Sequence, residues 1–158
     1  MGPERHPDIE PLAFLLGTWR GEGKGEYPTV QPFAYGEEAR FWHVGKPFLA
    51  YAQRTWALDD ERPLHAEMGY WRPQSNGGVE LILAHPFGIT EIEIGAVTGR
   101  RVELMTHSIE GSPMAKEVTR VERSFHVAGE VLVYDLRMAA VGQATAHHLH
   151  AELRRVAE

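Results

Sequence analysis

The chain has 158 residues, 43% of them hydrophobic, and a formal net charge of −6, so residues 1–158 are expected to form one domain with a sizeable core. This acidic balance, with no run of Lys and Arg, argues against a nucleic-acid partner, which would need a basic face. The absence of cysteine excludes disulfides, Cys-ligated metal centres and thiol chemistry. Residues 1–6 lack the apolar run of a signal peptide, and no stretch reaches the ~20 apolar residues of a membrane span, so a cytoplasmic protein with no membrane partner is expected.

A short helix is predicted near the N-terminus. Residues 12–16 are apolar, follow an acidic and proline-rich stretch, and end at Gly17, which is typical of one or two helical turns. A helix this short is marginal in isolation. We therefore expect it to dock on an apolar surface, where it could plug one end of a barrel.

From Thr18 onward the sequence is a series of short segments rich in β-branched and aromatic residues, separated by Gly, Pro, Asn and Asp. The breaks at residues 45–47, 58–63 and 75–78 are typical of hairpin turns. No segment after Thr18 has a convincing helical period and length. The ten predicted strands are 18–25, 35–44, 48–58, 64–72, 78–85, 90–97, 101–108, 117–127, 130–139 and 145–156.

Alternation within these segments predicts how they are arranged. In the ninth segment every second residue is apolar and the intervening ones include charges, which is typical of a strand with one face in a core and one in water. Consecutive strands in this number close on themselves, because an open sheet leaves unpaired edges. The sequence therefore predicts an all-β fold, a ten-stranded antiparallel up-and-down β-barrel like those of lipocalins and fatty-acid-binding proteins, with an internal cavity.

The histidines are the first candidates for chemistry. His147, His148 and His150 cluster on the last predicted strand, where His148 and His150 share one face and His147 lies on the other. A zinc site needs three or four ligands, so spacing alone favours a surface strand with polar imidazoles. His65 and His85 border apolar or small residues, a position typical of partly buried, hydrogen-bonded histidines.

Other catalytic patterns are missing from the sequence. The carboxylates are scattered, with no pair whose placement indicates general acid and base roles, and there is no nucleophile elbow or phosphate-binding loop. The motif Gly17-x-Trp19-x-Gly21-x-Gly23 opens the first strand. Its glycines allow a sharp bend or a close backbone approach, and its tryptophan supplies apolar bulk, so a structural role is predicted.

The same motif begins an ordered series of matches that resembles the nitrobindins, a family of ten-stranded haem-binding barrels. The resemblance covers nearly the whole chain after residue 10 and ends in His148-Leu149-x-Ala151-x-Leu153. The intervening matches lie at residues 25–29, 35–38, 45–47, 65–70, 72–73 and 137–138.

The resemblance implies one haem b per chain, held by an axial histidine on the last strand, with the sixth position of the iron open. The position that matches the family's ligand is His148. A lysine near the cavity mouth would suit a haem propionate. The other positions carried over as cavity or haem contacts are Thr29, Leu64, His65, His85, Lys116 and Met138.

The alternation of the last strand conflicts with this choice of ligand. Leu149, Ala151 and Leu153 form its apolar face, and strict alternation would then turn His147 inward in place of His148. A break between His148 and Leu149 would remove the conflict. The resemblance favours His148, and His147 is the alternative.

The activity implied by the resemblance is that of a peroxynitrite isomerase, which binds nitric oxide on ferrous haem and converts peroxynitrite to nitrate on ferric haem. His65 and His85 could hydrogen-bond a ligand, but an apolar distal pocket is expected. One alternative is a non-catalytic carrier of an apolar small molecule such as a fatty acid. Another is a nitric oxide sensor or store. A homodimer is left open.

Overall fold

The computed structural model describes residues 1–157 as a closed barrel of ten antiparallel strands. Each strand pairs with its neighbours in the chain, and β1 pairs with β10 to complete the ring. The predicted fold class is confirmed. The strands are β1 (Gly17–Tyr27), β2 (Val30–Trp42), β3 (Leu49–Ala57), β4 (Pro63–Pro73), β5 (Gly78–His85), β6 (Ile89–Thr98), β7 (Arg101–Gly111), β8 (Val118–Ala128), β9 (Val131–Ala140) and β10 (Ala146–Arg155).

The largest difference from the predicted strands lies between β1 and β2. These two strands extend to Tyr27 and Val30 and are joined by residues 28–29, where a longer break was predicted. Residues 30–34 pair with β1, whereas pairing with β3 starts only at Tyr35. Pro32 is therefore tolerated, because a proline that has a strand on one side only disrupts at most one ladder.

A 3₁₀ helix, Pro7–Leu15, precedes the barrel, starting five residues earlier than the apolar stretch indicated. Prolines at its start and in its interior lack an N–H, which suits a short 3₁₀ segment better than a longer α-helix. Ile9, Leu12 and Leu15 are fully buried against the barrel core, so the helix plugs one end as predicted. Within residues 1–157 no helix is long and apolar enough to cross a membrane.

The two ends of the barrel differ. We call the end closed by the helix the plug end, which also carries the turns at residues 43–48, 74–77, 99–100 and 129–130. The opposite end, the mouth, carries the connections at residues 28–29, 58–62, 86–88, 112–117 and 141–145.

Aromatic side chains fill the barrel next to the plug. Trp71 packs between Phe41 and Phe125, with ring centroids 5.6 and 5.0 Å away. Trp19 Nε1 donates a hydrogen bond of 2.8 Å to the carbonyl oxygen of Leu15, which ties the helix to β1. This end is therefore a packed apolar core, and any cavity must lie toward the mouth.

Arg155, at the end of β10, holds the plug from the other side. Its guanidinium lies 4.2 Å from the centre of the Trp19 ring and donates hydrogen bonds to the carbonyl oxygens of Phe14 and Leu16. The stacking and the hydrogen bonds satisfy the charge while the rest of the side chain covers apolar surface. The first and last elements are thus joined at one end of the molecule.

The seam between β1 and β10 requires glycine. A Cβ atom added to Gly21 would lie 2.1 Å from the carbonyl oxygen of Glu152 on β10, and backbone atoms have little room to yield.

We predict that Gly21→Ala lowers the free energy of unfolding by about 2 kcal/mol, as measured by urea denaturation. The matched control is Gly111→Ala on β7, where the added atom meets only Ala115 at 3.5 Å. An equal loss in both variants would contradict this account of the seam.

Candidate functional site

His148 is the extra residue of a β-bulge. In the ladder between β10 and β9, His147 lies opposite Arg137 and Leu149 lies opposite Leu136, so that His148 has no partner of its own. The bulge is a break in alternation of the kind that would reconcile an inward-facing His148 with the apolar face of this strand. Leu149 packs against the core behind it, while the next residues on the same face, Ala151 and Leu153, are fully buried.

The bulge turns the His148 ring toward the mouth and fixes its orientation. Its Nδ1 lies 2.9 Å from the backbone carbonyl oxygen of Glu26, which can only accept, so Nδ1 carries the proton. The ring stands edge-on to Tyr27 and Phe33, with centroids 5.4 and 6.5 Å away. The lone pair of the neutral imidazole is therefore on Nε2, the arrangement that metal-ligating histidines use.

Burial lowers the pKa of His148, and positive charge on His147 or His65 lowers it further, against the opposing effect of the hydrogen bond to Glu26. The neutral, metal-binding form of His148 is therefore favoured near neutral pH.

His147 lies on the outside of the barrel, before the bulge. Its Nδ1 is 3.0 Å from the Glu26 carboxylate, and its Nε2 is 3.1 Å from the Asp135 carboxylate. His150 also contacts Asp135, at 2.8 Å. Both ring nitrogens of His147 are thus engaged with surface carboxylates, and of the three histidines only His148 packs against the rings of Tyr27 and Phe33.

The other residues carried over from the resemblance gather at the same end. Met138 is half-buried on β9, in line with its inward-facing neighbours. Leu64 is the extra residue of a bulge between β3 and β4 and is 42% exposed. Thr29 and Lys116 are exposed in the connections at residues 28–29 and 112–117. His65 and His85 lie on β4 and β5, on the opposite side of the ring of strands from β10.

A network of buried charged side chains lies inside the barrel, below the mouth. Arg123 on β8 donates hydrogen bonds to the carboxylates of Glu93, Glu91 and Glu67, at 2.6, 3.1 and 3.2 Å. All four side chains are at most 6% exposed. His85 Nε2 joins the network 3.0 Å from Glu91, so the charged layer separates the apolar core from the mouth.

The three carboxylates around Arg123 titrate differently. Burial alone would raise the pKa of Glu67, but Arg123, His65 and His85 lower it to about 2. The pKa of Glu91 is lowered for the same kind of reason, by Arg123 and His85 against its burial. Burial instead raises the pKa of Glu93 to about 9, and the neighbouring Glu91 adds to the rise against the effect of Arg123. Near neutral pH, Glu93 therefore holds a proton while Glu67 and Glu91 are ionised.

A second polar group lies beside this network. The hydroxyls of Tyr35 and Tyr134 are 2.8 Å apart, and Tyr134 donates to the Glu37 carboxylate. Gln53 donates to the same carboxylate at 3.3 Å. Burial raises the pKa of Glu37 to about 7, although the bonds from Tyr134 and Gln53 oppose the rise. Together with the network around Arg123, this group forms a polar layer that extends to β2 and β9.

The sequence predicted an apolar distal pocket, but this layer of the barrel is polar. Its carboxylates were not among the predicted site residues. On β6, Glu91 and Glu93 point inward while Ile92 and Ile94 lie on the outer face, the reverse of the usual arrangement. A signal existed on β8, where Arg123 interrupts an otherwise apolar inward face. A buried arginine requires buried carboxylates to pair with it.

A barrel that is packed at one end and carries an oriented histidine at an open mouth belongs to the class of small-ligand-binding β-barrels. Residues 8–155 match the family described as THAP4-like, heme-binding beta-barrel domain. The chain belongs to this family of haem-binding barrels, the nitrobindins, as the sequence motifs predicted.

Individual relatives match over almost the whole chain. A protein of Mycobacterium marinum named Peroxynitrite isomerase 2 is 55% identical, over 98% of this chain and 99% of its own. A Peroxynitrite isomerase of Nocardia farcinica is 55% identical, over 95% of this chain and 92% of its own. The crystal structure of Rv2717c from M. tuberculosis superimposes with a TM-score of 0.92 at 50% identity and covers 98% of this chain and 100% of that one.

The proton on Glu93 predicts a measurable pH dependence. Because the folded-state pKa of Glu93 lies above its ordinary value of 4.5, the folded protein holds an extra proton between about pH 4.5 and 9. Stability from this group is complete below that window and is lost as the pH rises through it, by at most ~1.4 kcal/mol per pH unit. Glu93→Gln should therefore gain stability relative to wild type as the pH rises, in urea denaturation at several pH values. The exposed Glu22→Gln is the control, and parallel curves for wild type and Glu93→Gln would refute the assignment.

Proposed function

We propose that this chain binds haem b at its mouth through His148 and isomerises peroxynitrite to nitrate there. The observation that carries the proposal is the bulge at His148, together with the carbonyl of Glu26 that holds the proton on Nδ1. The activity is supported by relatives at 55% identity that are named peroxynitrite isomerases.

The residues at the mouth have the chemistry that a haem requires. His148 offers a neutral nitrogen donor, and the rings of Tyr27 and Phe33 flank it with apolar surface suited to a macrocycle. Met138 lies on the inward-facing side of the neighbouring strand β9. Lys116 lies at the solvent-exposed rim, where its ammonium would pair with a propionate. Thr29, exposed in the turn between β1 and β2, would supply a further polar contact at the rim.

When bound, ferric haem would supply Lewis acidity toward a substrate oxygen. The rest of the task falls to the protein side chains. His148 fixes the cofactor, and Tyr27 keeps that side of the mouth rigid, because its hydroxyl donates to the Met138 carbonyl and accepts from the Ala140 N–H. On the opposite wall, His65 is 28% exposed and can donate a hydrogen bond to an anionic substrate.

The reaction needs no proton from the protein. Peroxynitrite and nitrate have the same atoms and the same charge, so isomerisation neither consumes nor releases a proton. The buried carboxylates need not act as general acids or bases, and Glu93 can keep its proton throughout. The requirements that remain are a fixed ligand, a confined space and limited access of water.

Three parts of the sequence-based interpretation stay predictions: nitric oxide binding to ferrous haem, a homodimer and a cytoplasmic location.

Haem ligation is tested by substitution of the two candidate histidines. His148→Ala removes the donor nitrogen, so we expect hemin affinity to fall at least about 10-fold and the sharp Soret band to be lost in a spectroscopic titration. His147→Ala is the matched control, and its hemin affinity should stay within about twofold of wild type because His147 contacts surface carboxylates. Unchanged hemin binding by His148→Ala would remove the basis of the proposal.

The activity is tested by stopped-flow mixing of the ferric protein with peroxynitrite. We expect the wild-type protein and His147→Ala to accelerate the decay and to yield nitrate as the product. His148→Ala mixed with the same amount of hemin should give decay near that of free hemin. Decay no faster with wild type than with His148→Ala would contradict isomerisation at this site, and fatty-acid binding without a Soret band would favour a carrier.

A further inference from the structure

Two histidines and one glutamate lie together on the wall of the mouth that faces His148. His65, Glu67 and His85 each offer one ligand atom, and these atoms all lie within 4.8 Å of one another. His65 and Glu67 are two apart on β4, so both point into the barrel, and His85 ends the adjacent strand β5. Two imidazole nitrogens and one carboxylate oxygen are a donor set that zinc and other divalent transition metals use.

The three donor atoms have the spacing of a coordination site. His65 Nε2 lies 3.4 Å from His85 Nδ1, and the Glu67 Oε2 atom lies 3.6 and 3.4 Å from these two nitrogens. An ion ~0.7 Å out of the plane of these three atoms, as tetrahedral coordination requires, would lie about 2.1 Å from each of them, which matches Zn–N and Zn–O distances of roughly 2.0–2.2 Å. A metal ion would fit between them with almost no movement of the side chains.

The donors are held by a second layer of hydrogen bonds. The Glu67 Oε1 atom accepts from the Tyr51 hydroxyl at 2.9 Å and from Arg123 at 3.2 Å, so that Oε2 is the oxygen turned toward the histidines. His85 Nε2 lies 3.0 Å from the Glu91 carboxylate. A carboxylate behind a ligating histidine is the usual support of a metal site, because it fixes the tautomer and the ring orientation.

The site is accessible from the mouth. His85 and Glu67 are buried, whereas His65 is partly exposed and borders a groove of about 760 Å³ that Thr55, Leu64 and Phe87 also line. Three protein ligands leave a fourth tetrahedral position, and an open position is characteristic of catalytic and ligand-binding zinc sites. The exposed side of His65 provides the route by which an ion and its fourth ligand could enter.

We propose that His65, Glu67 and His85 bind a divalent transition-metal ion of the Zn²⁺ type, with a fourth position open to water or to an anion in the mouth. This second metal site shares the mouth with the proposed haem site but takes none of its donors from His148. The donor set selects Zn²⁺ over Mg²⁺ and Ca²⁺, which require oxygen ligands in larger number.

The test uses the full chain loaded with hemin, dialysed against a chelator and then against buffered Zn²⁺ or Mg²⁺. Metal per chain is measured by mass spectrometry of the elements. We expect one zinc ion per wild-type chain and no retained magnesium. His65→Ala and the nearly isosteric Glu67→Gln should each weaken zinc binding at least about 10-fold, with the circular dichroism of the wild type retained.

The matched control is His150→Ala, which removes a partly exposed histidine from the surface cluster around Asp135 and should leave zinc binding unchanged. Anomalous scattering at the zinc edge from wild-type crystals locates the ion without any variant. A peak between the three donors supports the site. The proposal is overturned by a peak beside Asp135, by zinc loss in His150→Ala alone, or by wild-type zinc affinity in His65→Ala and Glu67→Gln.

Discussion

Pairing of the first strand with the last is the constraint on which the site depends. The ladder between β1 and β10 runs from Trp19 opposite Arg155 to Gly25 opposite Leu149, and it ends where the bulge begins. Beyond that point β1 continues and brings the Glu26 carbonyl against the ring of His148. If the barrel were open, the histidine would have neither this acceptor nor the adjacent aromatic rings, and its tautomer would be unspecified. Closure of the sheet therefore orients the candidate ligand as well as removing the exposed edges.

The charged layer in the middle of the barrel carries a cost that its geometry offsets. Burying a guanidinium and several carboxylates is unfavourable unless each is paired and hydrogen-bonded, and Arg123 meets three carboxylates at once. The proton on Glu93 reduces the repulsion among them. The layer divides the barrel into an apolar half beside the plug and a polar floor below the mouth. A ligand at the mouth therefore encounters fixed charges and oriented imidazoles on one wall and apolar surface around His148.

The fold could be predicted from the sequence because each strand carries local signals that do not depend on its neighbours. Turn residues and β-branched segments marked ten strands, and their number implied closure. The site was harder to predict, because it depends on register. Strict alternation pointed to His147, and the extra residue at His148 becomes visible only when β10 is paired with β9. Family motifs pointed to His148 without this structural reason for the choice.

The carboxylates were missed for a related reason. Alternating Glu and Ile on β6 is equally consistent with either face pointing inward, and hydrophobicity favours the wrong one. Only the partners across the barrel decide the outcome, since Arg123 on β8 and the histidines on β4 and β5 satisfy the glutamates. Contacts of this kind join strands far apart in the ring, and no local pattern in the sequence encodes them.

The contacts that join Arg155 to Trp19 and the N-terminal helix have a consequence for how the barrel can be built into larger assemblies. Residues 1–6, before the helix, and residues 156–157, after β10, lie at the plug end, where Pro3 is beside Gly45 and Val156 bonds to the backbone of Thr18. A tag, a tether or another protein attached at either terminus would therefore project away from the mouth. Such an attachment could immobilise the protein or join it to a second module without obstructing the diffusion of small molecules into the barrel.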